Sequence, residues 1–210
     1  MYILHYSPGS ASMCVHWLLL ELGVEFEARR VDLDAGEHKQ PAYLALNPNG
    51  RVPTLIVDGR PAFEAAALLL LLAERHPQSR FAPLIGTPER TAYLQWTLHF
   101  ANTLQPAYRR WFYADEAAGP QNVEAAKQCA RAEIEATWDR VEALLSSGGP
   151  YICGGATTAV DFLGTMLMRW SRNMPRTATA WPAIADYVQR MKARPTFREL
   201  YAREGLTEWA

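Results

Sequence analysis

A hydroxyl-rich turn, Ser7-Pro8-Gly9-Ser10-Ala11-Ser12, stands directly ahead of a helix pattern in which Val15, Leu18, Leu19 and Leu22 fall at i, i+3, i+4 and i+7. Hydroxyls at a helix start suit the holding of an anion, because a donated proton and the positive end of the helix act on one point. A thiol is a suitable guest. With a pKa near ~8.5 it is mostly protonated at neutral pH, and only its thiolate is a nucleophile. Ser10 and Ser12 are the candidate donors. Serine is also a preferred N-cap residue, so the local pattern alone leaves a purely structural role open for either one. Other chemistry is poorly supplied. Cys14, Cys129 and Cys153 are scattered and form no CxxC pair, which argues against a metal site, a dithiol motif or a disulfide framework. Cys14, one turn into the helix, reads as a small core residue.

The turn needs elements to position it. Tyr2 to Tyr6 is a strand-like run stopped by Ser7-Pro8-Gly9, and Gly23 sits where the following helix would end. Glu25 to Leu33 is a second strand. Strand, helix and strand in this order favour a parallel pair with a right-handed crossover. A polar loop (Asp34 to Lys39), a short helix near Pro41 to Leu46 and the turn Asn47-Pro48-Asn49-Gly50 come next. Pro53 to Val57 is a strand, Asp58-Gly59 a hairpin signal, Ala62-Phe63 a brief strand, and a leucine-rich helix runs to about His76. Three prolines and a glycine between Pro77 and Pro88 mark a linker. The remainder reads as helix: Ile134, Trp138, Val141 and Leu145 form one stripe, and Leu163, Met166, Leu167 and Trp170 another. Residues 1–76 are therefore expected to be a small α/β domain, 77–87 a linker and 88–210 an all-helical domain.

Bulk properties narrow the partners. The 210 residues are 49% apolar and 20% charged, with a net charge of -1, ordinary for a globular protein and without the basic footprint of a binder of duplex nucleic acid or anionic membrane. The longest apolar run, Ala65 to Ala73, falls far short of the ~20 residues that cross a bilayer. The opening MYILHYSPGS lacks the features of a signal peptide, which makes the cytoplasm the default location.

Three ordered segments resemble the cytosolic glutathione transferase family. Gly36 to Leu55 (GEHKQPAYLALNPNGRVPTL) is similar to the loop, helix and turn that hold the glycine end of glutathione. Phe63 to Pro77 (FEAAALLLLLAERHP) is close to the family pattern FES-A-I--YLAE, and Thr158-Ala159-Val160-Asp161 resembles its S-x-A-D capping box. The resemblance covers nearly the whole chain. It implies a thioredoxin-like, α/β glutathione-binding domain followed by an all-α helical bundle domain. Bacterial beta-type members read PG-x-CS in the first turn. Here Ala11 replaces that cysteine, which excludes mixed-disulfide chemistry at this position. Other classes use a serine in this turn or a tyrosine nearer the strand, so Tyr6 joins Ser10 and Ser12.

The resemblance also implies a glutathione site, with no metal. His38, Lys39 and Arg51 would surround the glycine carboxylate, Arg51 bidentately. Val52 and Pro53, joined by a cis peptide, would lend backbone groups to the cysteinyl part. Glu64 would accept the γ-glutamyl ammonium, and the Ala65 N–H would bind the γ-glutamyl carboxylate at a helix start. Many relatives have serine in place of Ala65, and loss of that hydroxyl would cost roughly 1–3 kcal/mol of binding. Met13, Tyr108, Trp111 and Trp170 are the candidates for an apolar acceptor pocket. Gln105 stands where beta-type relatives carry a histidine, and His99 reads as a satisfied helix residue. Thr158 and Asp161 should form a buried capping box with a folding role. A homodimer is implied, and leucine-rich faces around Leu68 to Leu72 and the next helix would permit one. The leading function is conjugation of the glutathione thiolate to hydrophobic electrophiles, a detoxification reaction. A glutathione-dependent peroxidase or disulfide reductase, and a transferase-like binding module without catalysis, are the alternatives.

Overall fold

A computed structural model describes residues 1–209. They form two compact units: Met1–Ala82 together with the segment from Met191 onward, and Pro83–Arg190.

The first unit is built on a four-stranded sheet of order β2-β1-β3-β4, from β1 (Tyr2–Tyr6), β2 (Phe26–Arg30), β3 (Thr54–Val57) and β4 (Arg60–Phe63). β1 and β2 are parallel, joined through α1 (Met13–Leu22) as the strand–helix–strand pattern requires. β3 and β4 are an antiparallel hairpin turned at Asp58-Gly59, where φ is 52° and 77°, the backbone that an Asp-Gly hairpin turn takes. Alternation along β1 assigns the two faces. The Tyr2 hydroxyl meets His76 Nε2 at 2.9 Å, just past α3 (Ala65–Arg75), and Tyr6 packs edge-on against His16 of α1. His5, on the other face, packs edge-on against Tyr43 of the short α2 (Pro41–Leu44).

One more helix completes this unit. α10 (Pro195–Glu204) lies against α1: the Trp17 indole N–H donates to Thr196 Oγ1 at 3.0 Å, Trp17 and Phe197 rings are 5.2 Å apart, and Arg194 pairs with Glu21 at 2.5 Å. Residues 191–209, which the order of the chain assigns to the helical part, thus group in space with the sheet.

The second unit is helical. α4 (Pro88–His99) starts at Thr87, whose hydroxyl accepts the Arg90 N–H, and runs through a π-helical turn at Phe100–Leu104 into α5 (Gln105–Phe112). The widened turn has a cause in sequence: Pro106 has no N–H and its ring crowds the carbonyl four residues back. α6 (Ala114–Ala118) is followed by the 26-residue α7 (Val123–Gly148), which buries Ile134, Trp138, Val141 and Leu145 along the expected stripe. α8 (Ala159–Trp170) is almost wholly buried, and Gly164 permits close approach of Phe100, whose ring would lie 3.0 Å from an added Cβ. Its capping box is present: Asp161 accepts from the Thr158 N–H at 2.7 Å and also from the Ile152 N–H and the Tyr187 hydroxyl, both at 3.0 Å. α9 (Pro182–Lys192) follows. Among the described residues no helix is long and apolar enough to cross a membrane.

Candidate active site

The register of the sheet gathers the proposed glutathione residues of the first unit at one end. His5 pairs with Thr54, and Thr54 with Phe63. The exit of β1, the entry to β3 and the exit of β4 therefore lie side by side. The serine turn follows the first, Val52 and Pro53 precede the second, and Glu64 and Ala65 follow the third. β2 leaves at the same end, Arg30 opposite Tyr6, and leads into the loop that carries His38 and Lys39.

The serine turn is a closed set of hydrogen bonds. The Ser7 carbonyl accepts from Ser10 Oγ at 2.7 Å and from Ser12 Oγ at 3.1 Å, and the two hydroxyls lie 2.8 Å apart. Ser12 Oγ also accepts the Ser7 N–H at 3.1 Å. Ser12 occupies the N-cap position of α1 but its side chain caps nothing; it closes the turn instead. The two serines differ in access, for Ser12 is fully buried and Ser10 only half-buried. A ligand takes the Ser10 proton by drawing it away from the Ser7 carbonyl, which the Ser12 hydroxyl still satisfies. Tyr6 is 9% exposed, and its hydroxyl has no hydrogen-bond partner among the described residues. Cys14 donates to the Ala11 carbonyl, and burial pushes its thiol up to about 12, far from thiolate chemistry.

A second cluster shapes the approach to β3. The Val52–Pro53 peptide is cis, as the resemblance implies. The Arg51 carbonyl ahead of it accepts from the Tyr43 hydroxyl at 2.7 Å and from Asn47 Nδ2 at 2.8 Å, and both side chains also reach Thr54 Oγ1. Gly50, at φ 54°, lies so close to the His38–Lys39 segment that a Cβ would come within 2.9 Å of the His38 carbonyl. Lys39 Nζ donates to the Gly50 carbonyl at 2.9 Å. His38 has a buried Nδ1 without a hydrogen bond, and burial, helped by the Lys39 charge, holds its pKa below the ordinary imidazole value. Arg51 is exposed, and its guanidinium has no ion pair or hydrogen bond among the described residues.

The head of α3 adds a strained residue. Glu64 holds φ 75° without being glycine, a conformation that costs on the order of 1–3 kcal/mol and is typical of ligand clamps. Its carbonyl accepts the Leu68 N–H while its carboxylate, exposed, has no partner among the described residues. A helix leaves its first backbone N–H groups without intrahelical acceptors, which makes the Ala65 end a place for an anion.

The acceptor candidates are distributed unevenly. Tyr108 and Trp170 meet edge-on at 5.8 Å, and Phe112 stacks on Tyr108 at 5.9 Å and meets Trp170 at 6.3 Å. Phe112, absent from the sequence-based set, is the most exposed member at 47%. Trp111 lies under Lys127 instead, 5.7 Å from the ammonium. Met13 and Tyr108 have no accessible surface. His99 is bonded to Thr137 at 3.3 Å, as a helix residue should be. No group of three or more His, Cys, Asp or Glu side chains is placed to hold a metal ion among the described residues.

A thioredoxin-like sheet whose end bears the serine turn, joined in sequence to a helical domain, defines the class. Residues 1–74 match the glutathione S-transferase N-terminal domain and residues 102–203 the glutathione S-transferase C-terminal domain. The chain belongs to the glutathione S-transferase family, with similarity to its beta-class and phi-class members. Glutathione S-transferase GstA of Escherichia coli O157:H7 is 28% identical over 97% of this chain and 98% of its own. A glutathione transferase crystal structure from Methylococcus capsulatus str. Bath is 30% identical, with a TM-score of 0.88 over 99% of this chain and 100% of that one. A sphingomonad glutathione S-transferase, solved in complex with glutathione, is 28% identical with a TM-score of 0.84 over 98% and 100%.

Proposed function

We propose that this chain is a glutathione transferase that binds glutathione at the end of the sheet and directs its thiolate at hydrophobic electrophiles. One observation carries the reading. The sheet register places the Ser10 turn, the Val52–Pro53 bend and the head of α3 side by side, with Arg51 and Glu64 both unpartnered among the described residues. Unpaired charges of opposite sign at one edge suit a ligand that carries carboxylates and an ammonium. Arg51, with His38 and Lys39, takes the glycine carboxylate; Glu64 takes the γ-glutamyl ammonium; the Ala65 N–H takes the γ-glutamyl carboxylate. Val52 and Pro53 offer backbone groups to the cysteinyl part.

Ser10 is the proposed thiolate donor. Its half-exposed hydroxyl can turn its proton toward a ligand while Ser12, sealed inside the turn, supports it from behind. The thiol proton passes to solvent as the thiolate forms. With an aryl halide the sulfur–carbon bond then forms and the halide leaves with its electron pair. Binding brings both reactants together, and the Ser10 proton steadies the sulfur charge. Of the candidates to meet the electrophile, Trp111, Phe112 and Trp170 of the helical unit keep accessible surface where Met13 and Tyr108 do not. Detoxification in the cytoplasm is the setting this chemistry suits.

Homodimerisation belongs to the same proposal, through the second of the two faces the sequence suggests, that of the helix after α3. Leu68, Leu69 and Leu72 are buried within the fold, whereas Leu84, Ile85, Leu94 and Leu98 of the helical unit are exposed.

Titration calorimetry with glutathione, followed by turnover of an aryl halide and of an organic hydroperoxide, tests the assignment. Conjugation of the halide is expected. Turnover of the hydroperoxide alone would make the protein a peroxidase, and absence of binding at millimolar glutathione would leave an interaction module.

A further inference from the structure

The serine turn has an anchor from far along the chain. Glu204, the final residue of α10, places its carboxylate against the turn: Oε2 accepts the Gly9 N–H at 2.7 Å. Its other oxygen, Oε1, meets His16 Nδ1 at 2.8 Å, one turn into α1. Both side chains are completely shielded from solvent. His16 is boxed by the Tyr6 ring at 5.0 Å and the Phe26 ring at 5.5 Å, and its Nε2 is buried without a hydrogen-bond partner. A carboxylate at a helix C-terminus is opposed by that helix's own dipole. α10 alone gives no reason for one there, whereas the turn and α1 supply its two partners. Gly9, at φ 66°, lies between the Ser7 carbonyl that takes both serine hydroxyls and Ser10 itself, so holding its N–H restrains the middle of that turn.

We infer that Glu204 is a positioning residue for thiolate formation: by clamping Gly9 and His16 together, it sets the direction in which Ser10 presents its hydroxyl to the bound sulfur. The inference rests on the reading of Ser10 given above. Glu204 touches no substrate. It acts through the turn, and its removal leaves the charges that grip glutathione (Arg51, Glu64, His38, Lys39) in place.

The test compares Glu204→Gln, His16→Gln and Ser10→Ala in the full-length chain. Three readouts are used: calorimetric glutathione affinity, the pH titration of bound thiolate by its ultraviolet absorbance, and thermal unfolding. For Glu204→Gln the expected result is an upward displacement of the bound-thiolate titration by about one pH unit, a change of about tenfold in its ionisation constant. Glutathione affinity should change by less than about threefold. His16→Gln, which removes the other half of the clamp, should move the titration in the same direction and serves alone if the Glu204 variant does not fold. A clamp that only holds the fold together would lower the unfolding temperature and leave the thiolate titration where it was; that result overturns the inference. Should Ser10→Ala lower the thiolate while both clamp variants leave it unchanged, the Ser10 reading stands and the clamp falls. Should the clamp variants lower it while Ser10→Ala does not, Ser10 falls as donor and with it the route assigned to the clamp.

Discussion

Ser10 and Ser12 are the same residue type two positions apart, and access to solvent separates them. Both hydroxyls donate to the Ser7 carbonyl, but only the half-exposed Ser10 can swing its proton to a ligand while the enclosed Ser12 keeps that carbonyl bonded. Ser10→Ala is therefore expected to cut kcat for aryl-halide conjugation by about 10- to 100-fold, the worth of one charge-assisted hydrogen bond. Tyr6→Phe should leave it within about twofold. Steady-state kinetics on both variants checks the choice. Arg51 gives a complementary case. Its guanidinium has no partner to lose among the described residues, so Arg51→Ala should weaken glutathione binding about tenfold in calorimetry while the melting temperature stays put. Most of these side chains can be read from the sequence, because turn residues, a proline and a helix start fall next to one another along it. Phe112 could have been found from its i+4 relation to Tyr108. Glu204 could not: it stands 195 positions from Gly9, and no local pattern marks a carboxylate at the end of an ordinary amphipathic helix as part of a distant turn.

Among the elements, the strands and the hairpin are legible because each is fenced by Gly, Pro, Asn or Asp. β2 is shorter than the Glu25 to Leu33 run suggests, since its pairing with β1 ends opposite Tyr6. The π-helical turn is written in Pro106, but a missing donor says only that the helix must adjust and leaves open how. Two elements carry predictions. At α8, Asp161→Ala strips acceptors from the Ile152 and Thr158 N–H groups and the Tyr187 hydroxyl, all buried, and should cost about 3–5 kcal/mol in denaturant unfolding. At β1, burial, aided by the Arg29 charge, holds His5 below the ordinary imidazole value. The unfolded chain titrates near ~6.5, so between the folded value and ~6.5 it binds the extra proton. The contribution of His5 is thus fully present above about pH 6.5 and is lost as pH falls toward the folded value. Urea midpoints at about pH 7.5 and 5.5 should show the fall, and His5→Gln should flatten it.

At the scale of the whole molecule, two statements can be checked. Exposed Leu94 and Leu98 stand one helical turn apart on α4, and a charge at Leu98 (Leu98→Glu) should shift sedimentation from dimer to monomer if that face joins two copies. The second concerns α10. Trp17, Glu21, His16 and Gly9 all find partners in residues 194–204, so a chain cut after Ala82 should fail to give a cooperative melt. Adding the 191–210 peptide in trans should restore it in part.

This arrangement has a cost during synthesis. At about 5–20 residues per second, the nascent sheet and its first helix wait on the order of ten seconds or more for the segment that seals them. Until then the Trp17 face is open to whatever apolar surface passes, and the turn that would hold the sulfur has no fixed shape. On the proposed reading a newborn chain stays inert toward reactive molecules until α10 has been made, and loss of α10 to a protease should silence it as surely as damage at the sulfur itself.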